Sequence, residues 1–322
     1  MPKLLYILSA GHSGSTLLDI LAGTVPGIFS TGECEWFPWQ LYRNGGVCEL
    51  GQDVCSCGEK FSECETWVKV VTALSQKVGY DVYGDPFRFK IKIFSNQGYN
   101  KDSTFSERLF KASCIRFMQF YYPIYLRNFF SHLARKEVNN SWFLFDTISE
   151  KIGARCIVDS SKDIMRMKFL HEKRPNDVYA VLLIRDILGV SASAVKRGGD
   201  PLVEARDWFN LYTRIFRILR KTDNLKIINV LYEELAENPQ KIRNKIARFL
   251  DINAPKQPVR IDTREHHLVA GNPMRYTGKI SIKYDDSWKK VLEGDIIDKI
   301  NTIKVKFAPI LKELQKMSWD DL

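Results

Sequence analysis

A loop rich in glycine and hydroxyl residues lies near the start of the 322-residue chain. It consists of Gly11, His12, Ser13, Gly14, Ser15 and Thr16. Because the loop follows a short apolar run and opens a segment of helical character, its backbone N–H groups, its hydroxyls and a helix dipole would all favour an anion. A Walker A loop carries a lysine before its Ser or Thr, and that lysine is missing here. The loop therefore predicts an oxyanion site for something other than a nucleotide γ-phosphate, with a simple helix cap after a glycine turn as the alternative.

A second candidate anion site combines an arginine with a serine. Arg185 ends the apolar run 178–184, and Ser193 follows eight residues later in a segment of helical character. Arginine offers a planar fork of donors and serine a hydroxyl, and both suit a phosphate group. A surface ion pair between Arg185 and Asp186 is the alternative.

Together these patterns resemble the sulfotransferases that use 3′-phosphoadenosine-5′-phosphosulfate (PAPS). In that family a basic residue precedes Ser-Gly-Thr-Thr or Ser-Gly-Ser-Thr in the 5′-phosphosulfate loop, and His12 stands at the basic position. Arg185 and Ser193 match the pair that binds the 3′-phosphate, although Ile187 replaces the usual proline. The resemblance implies a P-loop NTPase-like fold, PAPS as co-substrate, 3′-phosphoadenosine 5′-phosphate (PAP) as product, a nucleotide-binding transferase of class EC 2.8.2, and no metal requirement.

Two further stretches carry the resemblance into the second half of the chain. Residues 230–235 are similar to the family's Tyr-Glu-Asp-Leu element, whose tyrosine lies near the adenine, so Tyr232 is a candidate cofactor-binding residue. Residues 271–288 resemble the segment that folds over the nucleotide, where Arg275 would give a second donor to the 3′-phosphate. By itself the first stretch is also typical of a strand end followed by a helix start.

The same resemblance predicts the reacting groups. A Gly-Glu element carries the catalytic carboxylate in tyrosylprotein-type and related sulfotransferases, and this assigns Glu33 as the general base, with Glu35 as the nearby competitor. Lys162 lies just beyond an apolar run, where open parallel sheets bind ligands, and it would stabilise the leaving phosphate, while His12 at the basic position would act on the sulfate. The alternatives are a glutamate favoured by a helix dipole and a solvated lysine. The adjacent His266 and His267 are not chosen as the base.

Four cysteines cluster between residues 48 and 64. Cys48, Cys55, Cys57 and Cys64 could form a tetrahedral zinc site, but the Cys-x-Cys spacing is short for one and no histidine is near in sequence. A metal or disulfide staple and free buried thiols both stay open, and no metal is assigned.

Alternating apolar runs and helical segments indicate the elements that position these residues. The runs at 3–8, 156–158, 178–184 and 226–231 are predicted strands, and helical segments follow each of them. This alternation predicts an α/β fold with a central parallel sheet flanked by helices on both sides. We expect a single domain over residues 1–322, in which residues 43–138 form an irregular and helical insertion on the acceptor side.

Composition limits the function classes. Hydrophobic residues make up 45% of the chain and charged residues 27%, values of an ordinary globular protein. The formal net charge of +10 favours anionic partners. The alternatives are a P-loop kinase or NTPase with Asp159 on Mg²⁺, and a nucleic-acid-binding protein using the basic and aromatic stretch 105–136. No export signal or membrane span is evident, so a cytoplasmic enzyme acting on a hydroxyl-bearing acceptor, without nucleic acid, is expected.

Overall fold

The computed structural model describes residues 1–43, 54–93 and 127–317 and places a five-stranded parallel sheet at their centre. The strands are β1 (Lys3–Leu8), β2 (Ile28–Ser30), β3 (Cys156–Asp159), β4 (Val178–Ile184) and β5 (Lys226–Leu231), in the order β2-β3-β1-β4-β5. The four predicted strands and the parallel α/β class are confirmed. The sequence did not reveal β2, because three residues are too few to show a period.

Helices cover the sheet. They are α1 (Ser15–Gly23), α2 (Phe37–Arg43), α3 (Glu65–Val78), α4 (Arg127–Leu133), α5 (Arg135–Ile152), α6 (Ile164–Lys173), α7 (Ile187–Val195), α8 (Pro201–Leu219), α9 (Tyr232–Glu237), α10 (Pro239–Phe249), α11 (Trp288–Val291) and α12 (Gly294–Lys316). Two short strands, β6 (Ile261–Asp262) and β7 (Lys279–Ile280), form a separate antiparallel pair. Among the described residues, no helix is both long enough and apolar enough to cross a bilayer.

Both faces of the sheet are buried, as the uninterrupted apolar runs require. In β1, Leu4, Tyr6 and Leu8 belong to one apolar cluster, and Leu5 and Ile7 belong to the cluster on the opposite face. The alternation follows from the period of two along a strand. A central strand held from both sides gives the loop that follows it a rigid base.

The predicted insertion is described only in part. Helix α3 packs on α5, with Trp67 and Leu74 fully buried in the same cluster as Trp142. Residues 44–53 and 94–126 lie outside the described residues, and with them Cys48 and most of the stretch 105–136. The acceptor-side role of residues 43–138 therefore stays a prediction, as do the single-domain assignment and the nucleic-acid alternative.

An ion pair buried within the core holds the end of β3. Arg166 donates from Nε and Nη2 to Asp159 Oδ2 at 3.1 and 3.0 Å, and both side chains have no exposed surface. Burial would lower the pKa of Arg166, but the adjacent carboxylate of Asp159 raises it above its usual value. The other oxygen of Asp159 accepts from the backbone N–H of Ser161 at 2.9 Å and from the Ser161 hydroxyl. Asp159 thus fixes the turn that leads to Lys162.

Breaking this pair from one side is expected to be costly. Arg166→Met should lower the free energy of unfolding by about 3–5 kcal/mol, because a buried carboxylate is left without its cation. The double variant Asp159→Asn/Arg166→Met should regain part of that loss, since no unpaired charge remains. Urea unfolding of the three proteins measures both quantities. A loss below about 1 kcal/mol in the single variant would contradict the role given to the pair.

Candidate active site

Polar residues gather at the carboxyl ends of the parallel strands. From β1 the chain first supplies β2 and β3 on one side, and then β4 and β5 on the other. Loops diverge where the strand order reverses, and open α/β sheets bind ligands in the crevice formed there. The predicted phosphate loop follows β1, so it lies at this reversal, with Glu33 and Lys162 to one side and Arg185 and Tyr232 to the other.

The backbone of the phosphate loop takes a conformation that requires glycine. Gly14 has a φ of 88° and His12 a φ of 58°, both in the left-handed region. A Cβ atom at Gly14 would lie 2.7 Å from Cδ2 of Tyr232, so the ring also leaves no room for a side chain. The tight turn points the start of α1 towards the crevice.

The first turn of α1 lacks a side-chain cap. Gly14 precedes the helix and has no side chain to accept its first N–H groups, whereas Asp163 and Asp186 cap α6 and α7. Ser13, Ser15 and Thr16 are buried around that turn, and Thr16 Oγ1 accepts from the backbone N–H of Asn272 at 3.0 Å. The helix start can accept an anion, while Thr16 also anchors a distant segment.

Arg185 connects the phosphate loop to the opposite wall. Its Nη1 donates to the backbone carbonyl of His12 at 2.9 Å, and its guanidinium lies 4.3 Å from the centre of the Tyr232 ring. Tyr232, predicted to lie near the adenine, is therefore enclosed between Gly14 and Arg185. Cation–π contact and the hydrogen bond together fix the plane of the guanidinium.

A carboxylate already occupies the other side of this arginine. Arg185 Nη2 donates to Asp285 Oδ2 at 2.9 Å, and Lys196 Nζ lies 3.8 Å from the same oxygen. Although partial burial opposes it, hydrogen bonds from Ser287 and Arg185 lower the pKa of Asp285 to about 2. An anion therefore fits between Arg185 and Lys196.

Two basic residues in this region were not predicted from the sequence. Lys196 donates to Ser287 Oγ at 2.6 Å, and Arg197 Nη1 donates to Ser193 Oγ at 2.7 Å. The structure thus joins Ser193 to Arg197. The available signal was the basic pair that directly follows α7 and precedes Gly198, a few residues after the predicted phosphate serine.

Glu33 and Lys162 form an ion pair at the ends of β2 and β3. Lys162 Nζ donates to Glu33 Oε1, and each side chain retains about a fifth of its surface. The pair was predicted as two separate catalytic groups, and the fold brings them into contact. Lys162 has a φ of 68°, which is costly for a residue with a long side chain.

The backbone before Glu33 is equally constrained. Gly32 has a φ of 69°, and a Cβ there would lie 2.1 Å from the carbonyl oxygen of Ala270. The backbone N–H of Glu33 donates to that carbonyl at 3.0 Å. The glycine therefore lets the chain pass close to residue 270 and aim Glu33 at Lys162.

Glu35, the competitor for the base, has a different partner. Its Oε1 lies 3.3 Å from Lys92 Nζ, and Lys92 in turn lies over the ring of Trp36. Burial raises the pKa of Glu35 to about 7, with the cation of Lys92 opposing the shift. Glu33 pairs with Lys162 instead, so the two neighbouring carboxylates have different cationic partners.

His12 does not act as a permanent cation. Partial burial lowers the pKa of its imidazole, and the cations of Arg197, Lys162 and Arg185 lower it further, although its outer side is exposed. The lowered pKa favours the neutral form of the imidazole. The same three cations show that His12 lies where the two halves of the crevice meet.

Arg275 lies in the segment that contacts the phosphate loop, and its guanidinium donates to backbone carbonyls of that segment. Its Nη1 donates to the carbonyl oxygens of Leu268 and Val269 at 2.8 and 3.1 Å, and the residue is fully buried. It therefore supports the segment that contacts Thr16, and its predicted contact with a 3′-phosphate stays a prediction. The sequence could not distinguish these roles, because both need an arginine at this point.

The fold adds a histidine to the cysteine cluster, although none is near it in the sequence. Cys55, Cys57 and Cys64 lie with His267 so that one ligand atom from each is within 4.8 Å of all the others. His267 is 203 residues from Cys64 in the chain. Spacing between cysteines could not reveal it, since the fold alone brings residues 55–64 to residue 267.

Comparison with solved structures identifies the fold. A sulfotransferase domain from the curacin biosynthetic pathway is 16% identical over 96% of this chain and 98% of its own, with a TM-score of 0.50. The sulfotransferase domain of the Synechococcus PCC 7002 olefin synthase is 18% identical over 94% and 95%, with a TM-score of 0.47. A sulfotransferase from Alicyclobacillus acidocaldarius is 11% identical over 98% and 96%, with a TM-score of 0.44. No family model and no curated protein sequence matches the chain. The protein has the sulfotransferase fold.

Proposed function

We propose that this protein is a PAPS-dependent sulfotransferase that transfers the sulfuryl group to a hydroxyl of an acceptor. The observation that carries the proposal is the Glu33–Lys162 ion pair at the strand ends, beside a phosphate loop whose helix start has no side-chain cap. A carboxylate and an ammonium at one edge of an anion site are the acid–base and electrostatic groups that sulfuryl transfer needs.

The residues support an in-line displacement. The acceptor oxygen attacks sulfur while Glu33 takes its proton, and the bond from sulfur to the bridging phosphate oxygen breaks. Lys162 and the start of α1 stabilise the charge that develops on that oxygen, and the products are the sulfated acceptor and PAP. Arg185, Lys196 and Ser193 are proposed to hold the 3′-phosphate, at the position where Asp285 now pairs with Arg185.

The geometry disfavours a Mg²⁺-dependent kinase. Asp159 was the candidate metal ligand of that alternative, yet both of its oxygens accept hydrogen bonds from Arg166 and Ser161 inside the core. A metal there would have to displace a buried arginine. The missing loop lysine points the same way.

The acceptor class is open to direct measurement. The protein is incubated with sulfur-labelled PAPS and a panel of phenols, a tyrosyl peptide, aliphatic alcohols and glycans. Transfer of label to one class is expected, with release of PAP. No transfer to any class, combined with label transfer from γ-labelled ATP to the same panel, would overturn the proposal in favour of a kinase.

A pH dependence should distinguish His12 from the cations around it. PAP brings negative charge to the loop and raises the pKa of His12, so binding takes up a proton. PAP affinity should therefore rise as the pH falls through the pKa that His12 has in the complex. At pH values above that pKa the affinity should not change with His12. Phosphate groups titrate near pH 6 in every variant, so the difference between wild type and His12→Gln isolates the histidine.

The substitution His12→Arg replaces a side chain whose charge depends on pH with one that is always charged. At pH 8 it should tighten PAP binding by roughly tenfold, because a charge-assisted hydrogen bond contributes about 1.5 kcal/mol or more. Calorimetric titrations at pH 6 and pH 8 measure the effect. Equal pH profiles for wild type and His12→Gln would show that His12 does not contact the anion.

A further inference from the structure

Three thiols and one imidazole converge at a single point near the site. Cys57 Sγ lies 3.8 Å from Cys64 Sγ, and His267 Nδ1 lies 3.5 Å from Cys55 Sγ and 3.3 Å from Cys64 Sγ. In a tetrahedron with Zn–S bonds of about 2.3 Å and a Zn–N bond of about 2.0 Å, the edges measure roughly 3.8 Å between sulfurs and about 3.5 Å between sulfur and nitrogen. These three separations match those edges, and all four ligand atoms lie within 4.8 Å of one another.

Neither a disulfide nor simple core packing fits the cluster as well as a metal ion. A disulfide would bring two sulfurs to about 2.05 Å, and the cysteines among the described residues are free thiols. Buried thiols that merely fill a core have no reason to face one imidazole nitrogen. Three thiolates and one histidine are a ligand set of structural zinc sites, and four protein ligands leave no open position for catalysis.

Hydrogen bonds hold the ligand-bearing segments in place. The carbonyl of His267 accepts from Trp67 Nε1 at 3.1 Å, and the His267 ring stacks on Phe29. Ser56 donates to the carbonyl of His266 at 2.6 Å and accepts from the backbone N–H of Leu268 at 2.9 Å. Contacts of this kind orient metal ligands before the metal binds.

We propose that Cys55, Cys57, Cys64 and His267 bind one structural zinc ion. This ion would join residues 55–64 to residues 268–272, here named the strap. The strap reaches the candidate active site from His267. The backbone carbonyl of Thr31 accepts from the Val269 N–H at 2.7 Å, and that of Ala270 accepts from the Glu33 N–H. The Thr16 hydroxyl accepts from the Asn272 N–H. The zinc thereby fixes the segment that positions both the Gly-Glu turn and the phosphate loop.

Metal analysis tests this proposal on the full chain. The protein is purified under reducing conditions without added chelator, and bound metals are quantified by mass spectrometry. Roughly one zinc per chain is expected in wild type and in the control Cys156→Ala, which removes a buried thiol outside the cluster. His267→Ala should fall well below that value, and His267→Cys should retain zinc, because four cysteines also form a structural site.

Cobalt substitution adds a readout of geometry and guards against a variant that fails to fold. Zinc removed from wild type and replaced by Co²⁺ should give the visible absorption of a tetrahedral thiolate site, and His267→Cys should alter that spectrum. Folded wild-type protein without metal would overturn the proposal, as would a disulfide within the cluster or equal zinc content in wild type and His267→Ala. These results do not depend on nucleotide, so a failure of PAP binding with zinc present would overturn only the proposed function.

Discussion

Glu33→Gln is expected to abolish sulfuryl transfer while leaving PAP binding intact. Loss of a general base typically lowers the rate by about 10²- to 10⁴-fold, and glutamine keeps the shape of the side chain without taking a proton. The substitution also releases Lys162 from its ion pair, so PAP affinity should stay equal or rise slightly. Transfer from labelled PAPS to the acceptor found in the panel gives the rate, and calorimetry gives the affinity.

Glu35→Gln is the matched control for this experiment. Both residues are glutamates that follow β2, but Glu35 pairs with Lys92, whereas Glu33 pairs with Lys162. Its turnover should stay within about fivefold of wild type, since no interaction unique to the transition state is lost. Full loss in Glu35→Gln with activity retained in Glu33→Gln would move the base to Glu35.

Arg185→Ala is expected to lower PAP affinity by about 10²- to 10³-fold. A bidentate charge-assisted contact to phosphate is lost, and hydrogen bonds to charged groups contribute about 1.5–3 kcal/mol each. Arg185→Lys should fall in between, because lysine keeps the charge and loses the planar fork. Because Arg185 also holds His12, a second ligand is needed to separate binding from loop support.

Adenosine 5′-phosphosulfate provides that separation because it lacks the 3′-phosphate. Its affinity should change far less than that of PAP in Arg185→Ala if the arginine binds the 3′-phosphate. Asp285→Asn should act in the opposite direction and tighten PAP binding, since the carboxylate that occupies Arg185 and Lys196 loses its charge. Equal losses for both nucleotides in Arg185→Ala would show that Arg185 only supports the loop.

Local signals in the sequence made much of the fold predictable. The run that forms β4 is apolar along its whole length, and the run that forms β1 is apolar after Lys3, as is typical of strands buried on both faces. The glycine at position 14 was itself a signal of a tight turn, because backbone with a positive φ favours glycine. Lys162 and Arg185 were predicted at strand ends, and the unpredicted strand β2 brings Glu33 to the same edge of the parallel sheet.

Local sequence signals could not predict the contacts between distant segments of the chain. His267 completes the cysteine cluster only because the strap runs back beside β2, and nothing in the local sequence of residues 55–64 indicates that neighbour. Asp285 accepts a hydrogen bond from Arg185, which is 100 residues away in the chain, and Arg275 donates to a carbonyl of its own segment. Side-chain direction and long-range pairing decide these cases, and residue type alone fixes neither.

Calorimetric titration of the wild-type protein with PAP, 5′-AMP and ATP–Mg²⁺ tests the central proposal most directly. PAP should bind at least tenfold more tightly than 5′-AMP, because the Arg185 site contributes a second phosphate contact worth about 1.5 kcal/mol or more. ATP–Mg²⁺ should bind more weakly than PAP. Tight binding of ATP–Mg²⁺ together with weak or absent binding of PAP would contradict the assignment of this site to PAPS.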